Sequence, residues 1–166
     1  MTSSRGLGDV YKRQDVSNTV GTTIVDLTVN DGALVAGVID IDGNLSASQN
    51  VSSDTGAISV AGTATTTGGA DITGATGVSV SGTSSLNGDV TATANNVTLG
   101  GNVTLTADSV ITAAGTIGVT GSVDGAFDLT LAGTGGSDVS NTVGTTIVDL
   151  TAVSYTHLRA HETTSY

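Results

Sequence analysis

Apolar residues recur along this chain in short bursts of period two. Ile58-Ser59-Val60, Val78-Ser79-Val80, Val97-Thr98-Leu99, Val103-Thr104-Leu105 and Leu129-Thr130-Leu131 each place two apolar side chains on one face and a Ser or Thr on the other. Strict alternation over so few residues predicts short β-strands. Gly, Asn, Asp or other small residues follow each burst and predict tight corners. Leu34 to Ile41 is the richest apolar run and reads as one or two fully buried strands. No stretch carries a convincing helical stripe.

The bursts themselves recur. Ala57–Gly62 aligns with Gly77–Gly82, then with Asn96–Gly101 and again with Thr116–Gly121. The steps are 77 − 57 = 20, 96 − 77 = 19 and 116 − 96 = 20. A repeat near 20 with short strands and small corners is what one turn of a parallel β-helix needs. A lone turn cannot bury its apolar residues, whereas stacked turns can. Roughly seven rungs at about 4.8 Å would make a rod on the order of 30–35 Å long. The competing fold is a β-sandwich, with turn signals every ~8–12 residues. Composition favours the β-helix: the 166 residues include 24 Gly, no Pro, no Trp and only 2% aromatics. A sandwich core would usually bring large aromatics and Pro-bearing turns.

Charge narrows the function classes. The formal net charge is −11, from 15 acids against 4 bases. Such a chain has nothing to neutralise phosphates, which excludes a basic nucleic-acid binder. The chain lacks Cys, so no disulfide scaffold or Cys-ligated metal can form. No apolar run approaches the ~18 residues that read as a membrane span.

The rare residue types crowd the two ends. Arg5, Lys12, Arg13 and Arg159 are all the bases; His157, His161, Tyr11, Tyr155, Tyr166 and Glu162 share their placement. Ser4–Gln14 resembles one reading frame of a transposase-library sequencing adapter, and Val153–Thr163 a frame of its reverse complement. A single index sequence accounts for Met1–Ser3 and for the last residues to Tyr166. The chain therefore divides into 1–14, translated adapter; 15–151, a β-solenoid repeat segment; and 152–166, translated adapter. His157 and His161, spaced i, i+4 beside Glu162, look like half of a helical metal site. They belong to the adapter-like segment, and the native termini are expected outside the chain.

Within the middle segment, DVSNTVGTTIVDLT occurs at Asp15–Thr28 and again at Asp138–Thr151, a period of 138 − 15 = 123 residues. A tandem array gives this pattern, and so does an assembly loop without real repetition; the array is the favoured reading.

Residues 15–151 hold 13 Asp and no Lys, Arg or His. Asp40-Ile41-Asp42-Gly43-Asn44 has the alternating oxygens of a calcium loop, and Asp40, Asp42 and Asn44 are the candidate ligands. The segment departs from the EF-hand pattern, because its Gly stands at position four and no acid closes the loop. A polar corner with solvated acids is the plainer reading. The uncompensated charge also favours loose association of calcium or sodium. No cofactor other than possible calcium is expected. An enzyme is not expected either, since the segment has no Lys, Arg, His, Tyr, Cys or Glu to serve as base or oxyanion partner. Asn-x-Ser/Thr triplets start at Asn44, Asn50, Asn96 and Asn102. Stacked Asn ladders inside corners are expected of them rather than glycans.

Gly43-Asn44-Leu45-Ser46-Ala47, Gly88-Asp89-Val90-Thr91-Ala92 and Gly101–Ala107 resemble the repeats of filamentous-haemagglutinin-like and autotransporter-type adhesins. Asp128–Gly136 is similar to their strand-and-corner phrase. The resemblance covers most of residues 29–136. It implies a right-handed parallel β-helix that serves as a secreted or surface-displayed stalk of a Gram-negative-type bacterium, associated with the outer membrane. It implies attachment or biofilm formation, with extracellular polysaccharide, host-surface components and neighbouring repeats as partners. The alternative is an Asp-rich, calcium-stabilised module of a surface-layer or matrix protein.

Overall fold

Each apolar–polar–apolar burst forms a strand of two to five residues and stops where a small or polar residue turns the chain. The computed structural model describes residues 15–16 and 20–153. The strands assemble into three parallel sheets of eight, seven and six members. Consecutive strands fall on successive sheets, with the third wall marked only by the Val123–Val143 bridge between the last two strands, so the chain winds around three walls. This is a parallel β-solenoid of about six turns. Every strand pairing among the described residues is parallel, which sets aside the sandwich alternative.

The first wall runs from Asp15–Val16 through Leu34–Ala36, Val51–Ser53, Ile72–Gly74, Val90–Ala92, Ser109–Ala113 and Leu129–Gly133 to Leu150–Ala152. The second runs from Val20–Ile24 through Ile39–Ile41, Ala57–Val60, Gly77–Val80, Val97–Leu99 and Ile117–Val119 to Ser137–Val139. The third runs from Leu27–Val29 through Leu45–Ala47, Ala64–Thr66, Ser84–Leu86 and Val103–Leu105 to Val123–Asp124. The phrases aligned in the sequence are successive strands of the second wall. Ile58 pairs with Val78, Val78 with Val97 and Val97 with Ile117, in the expected register.

Stacking in register turns the period-two pattern into columns. Ile39, Ile58, Val78, Val97 and Ile117 form one inward column of the second wall, and Ile41, Val60, Val80, Leu99 and Val119 another. Each buried side chain contributes on the order of 1.5–3 kcal/mol. The outward column between them is Asp40, Ser59, Ser79, Thr98 and Gly118. Hydroxyls there keep water on the outer face while Thr retains its strand preference.

Leu34 to Ile41 departs from the expectation of fully buried strands. It forms two strands on two walls, and both alternate: Leu34, Ala36, Ile39 and Ile41 are buried, while Val35 and Asp40 face solvent. A solenoid wall has one dry face, so even an apolar run must show every second residue to water. Residues 1–14 and 154–166, with His157, His161 and Glu162, lie outside the described residues. Ala152 ends the last strand, and the Val153 N–H donates to the Leu131 carbonyl at 2.8 Å.

Candidate binding surfaces at the corners and on the first wall

The corners pose a hydrogen-bonding problem. The first residue of a strand donates its N–H upward to the next turn: Leu45 to the Thr63 carbonyl, Ile72 to Asp89, Val97 to Thr116, each at 2.8–3.0 Å. The residue just before it has an N–H that points down the rod, off the end of the sheet ladder. Such a donor needs a partner. In turn after turn an Asn or Asp of the turn below supplies it. Asn44 N–H donates to Asp26 Oδ1 at 2.8 Å, and Thr63 N–H to Asn44 Oδ1 at 2.9 Å. Asp71 N–H donates to Asn50 and Asp89 N–H to Asp71, each at 2.9 Å; Val110, already the second residue of Ser109–Ala113, donates to Asp89 at 2.8 Å. Thr116, Ser122 and Asp128 N–H groups donate to Asn96, Asn102 and Asp108 at 2.8–3.1 Å. Asn and Asp suit this place because their short side chains accept from backbone groups without extending the turn. Where the acceptor is a carboxylate, the bond is charge-assisted.

All four Asn of the Asn-x-Ser/Thr triplets hold such a bond. The ladders run along the outer rim of the corners, since Asn44, Asn50, Asn96 and Asn102 are not among the buried residues. The corners are where such ladders were expected; the inward positions are taken by the apolar columns. The Asp positions of the ladder, Asp26, Asp71, Asp89 and Asp108, were not singled out in the sequence. Their signal was present: an Asx stands directly before the burst at Asp26-Leu27, Asn50-Val51, Asp71-Ile72, Asp89-Val90 and Asn102-Val103.

The calcium candidates sit on the same frame. Asp40 is the outward, central residue of Ile39–Ile41, opposite Ser59. Asp42 lies in the bend beyond it, exposed, and its N–H donates to the Ile24 carbonyl at 2.8 Å. Asn44 is at the next corner, where its Nδ2 donates to Asp26 Oδ1 at 3.0 Å. Its Oδ1 accepts from both the N–H and the hydroxyl of Thr63, at 2.9 and 2.8 Å. Both ends of the Asn44 amide are thus engaged along the rod axis, with the turns below and above. Among the described residues no three Asp, Glu, His or Cys side chains gather closely enough to hold a metal ion.

Asp124 is an outward residue near the top of the third wall. The Thr146 hydroxyl and then the Gly125 N–H donate to its carboxylate, and together they hold its pKa below the ordinary value. A carboxylate lowered in this way contributes stability above its unfolded pKa. That contribution is lost as pH falls through the folded value.

A shallow groove of about 860 Å³ follows the edge of the first wall. Thr91, Thr93, Thr112, Ala114 and Thr134 line it, with Ala152 and Val153 at its top. Methyl and hydroxyl groups face it, with no charged side chain. Compared with protein-family models, curated proteins and solved structures, the chain matches none of them.

Proposed function

We propose that the chain is a repeat segment of a structural stalk, part of a secreted or surface-displayed bacterial adhesin that attaches cells or builds biofilm. Its task is mechanical: it spaces a distal binding region from the cell. The observation that carries this reading is the continuous parallel pairing of three walls through about six turns, with a single register shift between Val20–Ile24 and Ile39–Ile41. Such a stack contacts mainly its own neighbours and extends by adding turns. The small, hydroxyl-rich outer columns and the groove beside Thr91 and Thr112 suit contact with neutral polysaccharide.

Deleting one repeat unit, from one copy of the shared segment to the next, in the encoding gene of its host tests the reading. Surface fibres should shorten by about 30 Å per unit, from a rise of about 4.8 Å per turn, and attachment should weaken. Unchanged attachment with no surface fibre would remove the stalk reading.

The second reading is the Asp-rich, calcium-stabilised module. It is favoured by the stacking of Asp71 and Asp89 at successive corners in a segment without a counter-base. Chelator separates the two. A stalk held by N–H to Asx bonds keeps its β-signal in circular dichroism when calcium is withdrawn, and a calcium-dependent module loses it.

A further inference from the structure

The repeated segment, Asp15–Thr28 and Asp138–Thr151, is seen twice in one molecule, and the two copies occupy different walls. In the lower copy, Asp15-Val16 lies on the first wall, Val20 on the second and Leu27-Thr28 on the third. In the upper copy, Asp138-Val139 lies on the second wall, Val143 pairs with Val123 of the third, and Leu150-Thr151 lies on the first. Asp15, Val16, Val20, Leu27 and Thr28 pair in the lower copy, and their counterparts Asp138, Val139, Val143, Leu150 and Thr151 pair in the upper one; Ile24 pairs with Ile41, whereas the upper copy meets the third wall through the single bridge at Val143. The segment is turned by one wall.

The cause is the length of the repeat. Val16 is stacked through Ala36, Ser53, Gly74, Ala92 and Ala113 to Gly133. Those six turns end at Gly133, whereas the counterpart of Val16 in the upper copy is Val139. The stretch from Gly133 to Val139 carries the chain around one corner onto the second wall.

The two copies also show complementary sides of the segment. The upper copy shows what lies beneath it: Gly118 under Asp138, Val119 under Val139, Val123 under Val143 and Leu129 under Leu150. The lower copy shows what lies above it: Val35 on Asp15, Ala36 on Val16, Ile39 on Val20 and Leu45 on Leu27. Joined through the shared segment, the two halves agree in side-chain parity. Buried Val119 and Val139 would continue to Ala36 of a following unit. Val123 and Val143 would continue to Ile39, and Leu129 and Leu150 to Leu45. Outward Gly118 and Asp138 would continue to outward Val35. A strand edge offers unpaired backbone groups that another strand can take. Here each end of the rod matches the other end of the next unit.

We propose that the shared segment is a joint on which the next repeat unit of the same polypeptide stacks, making one continuous solenoid that advances by one wall per unit. This rests on the stalk reading and deepens it. Each unit makes six turns and one wall more, so three units in succession restore the starting wall. The Asx ladder preceding Ile72 and Val90 then appears on each of the three edges in turn. The fibre has no permanent front, so its groove and its acidic edge face every direction around the axis.

Disulfide trapping in an extended chain tests the joint. Residues 29–151 are inserted a second time after Thr151, keeping everything else of the chain. The sequence has no native Cys, and neighbouring parallel strands place Cα atoms about 4.8 Å apart, within disulfide reach. Asp138→Cys is combined with Val35→Cys of the inserted copy, both at outward positions. Thr91→Cys with Thr112→Cys, paired across adjacent turns, is the reference. The joint is expected to trap Asp138 with Val35 as fully as the reference pair, read by peptide mass spectrometry under non-reducing conditions. If Val35 of the inserted copy is trapped by Ala132→Cys instead, the unit has reset to the first wall, which overturns the joint and leaves the stalk standing. If neither forms while the reference does, the units do not stack, and both fall. Loss of the reference pair removes the solenoid and the joint with it.

Discussion

On the second wall, strands from Ile39 to Val119 send two large apolar side chains inward, and the registers advance almost evenly from Ile39 to Ile58, Val78, Val97 and Ile117. On the first wall one inward column is large (Leu34, Val51, Ile72, Val90, Ile111, Leu131) and the next is small (Ala36, Ser53, Gly74, Ala92, Ala113, Gly133). Its registers advance unevenly, with a short step from Leu34 to Val51 and a longer one from Val51 to Ile72. The small column is where the chain leaves the first wall through a sharp corner. A Cβ at Gly74 would run into the Gly77 carbonyl oxygen, and one at Gly133 would stand 2.5 Å from that of Gly136. One wall is limited by how much it fills, the other by how tightly it turns. They should therefore respond to opposite changes of size.

The largest effect is expected on the filled wall. Ile58 is fully buried between Ile39 and Val78 in its column. Ile58→Ala removes three carbons from a stack that cannot close around the gap, and should cost about 3 kcal/mol. Urea denaturation followed by circular dichroism reads it. A midpoint within error of the parent chain would mean that the second wall is loosely packed, and the contrast would dissolve.

Next comes the turning wall, tested by addition. Gly74→Ala forces the Gly77 carbonyl to move, because the clash is with backbone rather than a flexible side chain. Ala92 in the next turn and Ala113 in the one after hold a methyl at the same column, so the corner has a wider form to adopt. The expected loss is about 2 kcal/mol, within the usual range for overpacking. Stability equal to the parent would show that the corner is not limited by space.

The contrast also explains what could be read from the sequence alone. The second wall was legible because its pairs, such as Val78 and Val80, repeat at an almost constant interval and need no corner signal. Whether Leu34 to Ile41 makes one strand or two stayed open, because Gly37-Val38 is an apolar corner with no Asn, Asp or Pro. Only the change of phase, from Leu34 and Ala36 to Ile39 and Ile41, marks the turn. Three walls were hidden for a related reason. The third wall uses Ala64, Thr66 and Ser84 inward, and small polar residues do not read as a core. The candidate chemistry was legible in part. The sequence picked out Asn44, Asn50, Asn96 and Asn102 as corner residues, but Asp26, Asp71, Asp89 and Asp108 do the same work under a different charge. Composition alone presents those acids as solvated charge. Their bonds appear only once successive turns are stacked on one another.

A smaller effect is expected at the corner between these two walls. Asn96 accepts the Thr116 N–H at 2.8 Å while standing exposed. Asn96→Ala leaves that donor to water and should cost about 1 kcal/mol, the usual net value of one hydrogen bond. Faster amide exchange at Thr116 should accompany it, measured by NMR. Unchanged exchange there would mean that the ladder only decorates the corner.

The smallest effect returns to glycine and has the opposite sign. Gly118 sits mid-strand on the second wall, between Thr98 below and Asp138 above, and a Cβ there would meet nothing within 4 Å. Nothing in the fold requires glycine at this position. Gly118→Thr would continue the outward hydroxyl column and remove unfolded-state freedom, gaining about 0.5–1 kcal/mol. The same residue type is thus expected to stabilise one wall and to weaken the other, and thermal denaturation of the Gly74→Ala and Gly118→Thr chains side by side measures the difference. Two shifts of the same sign would place the cost in the loss of glycine itself, and the distinction between a filled wall and a turning wall would then have no energetic basis.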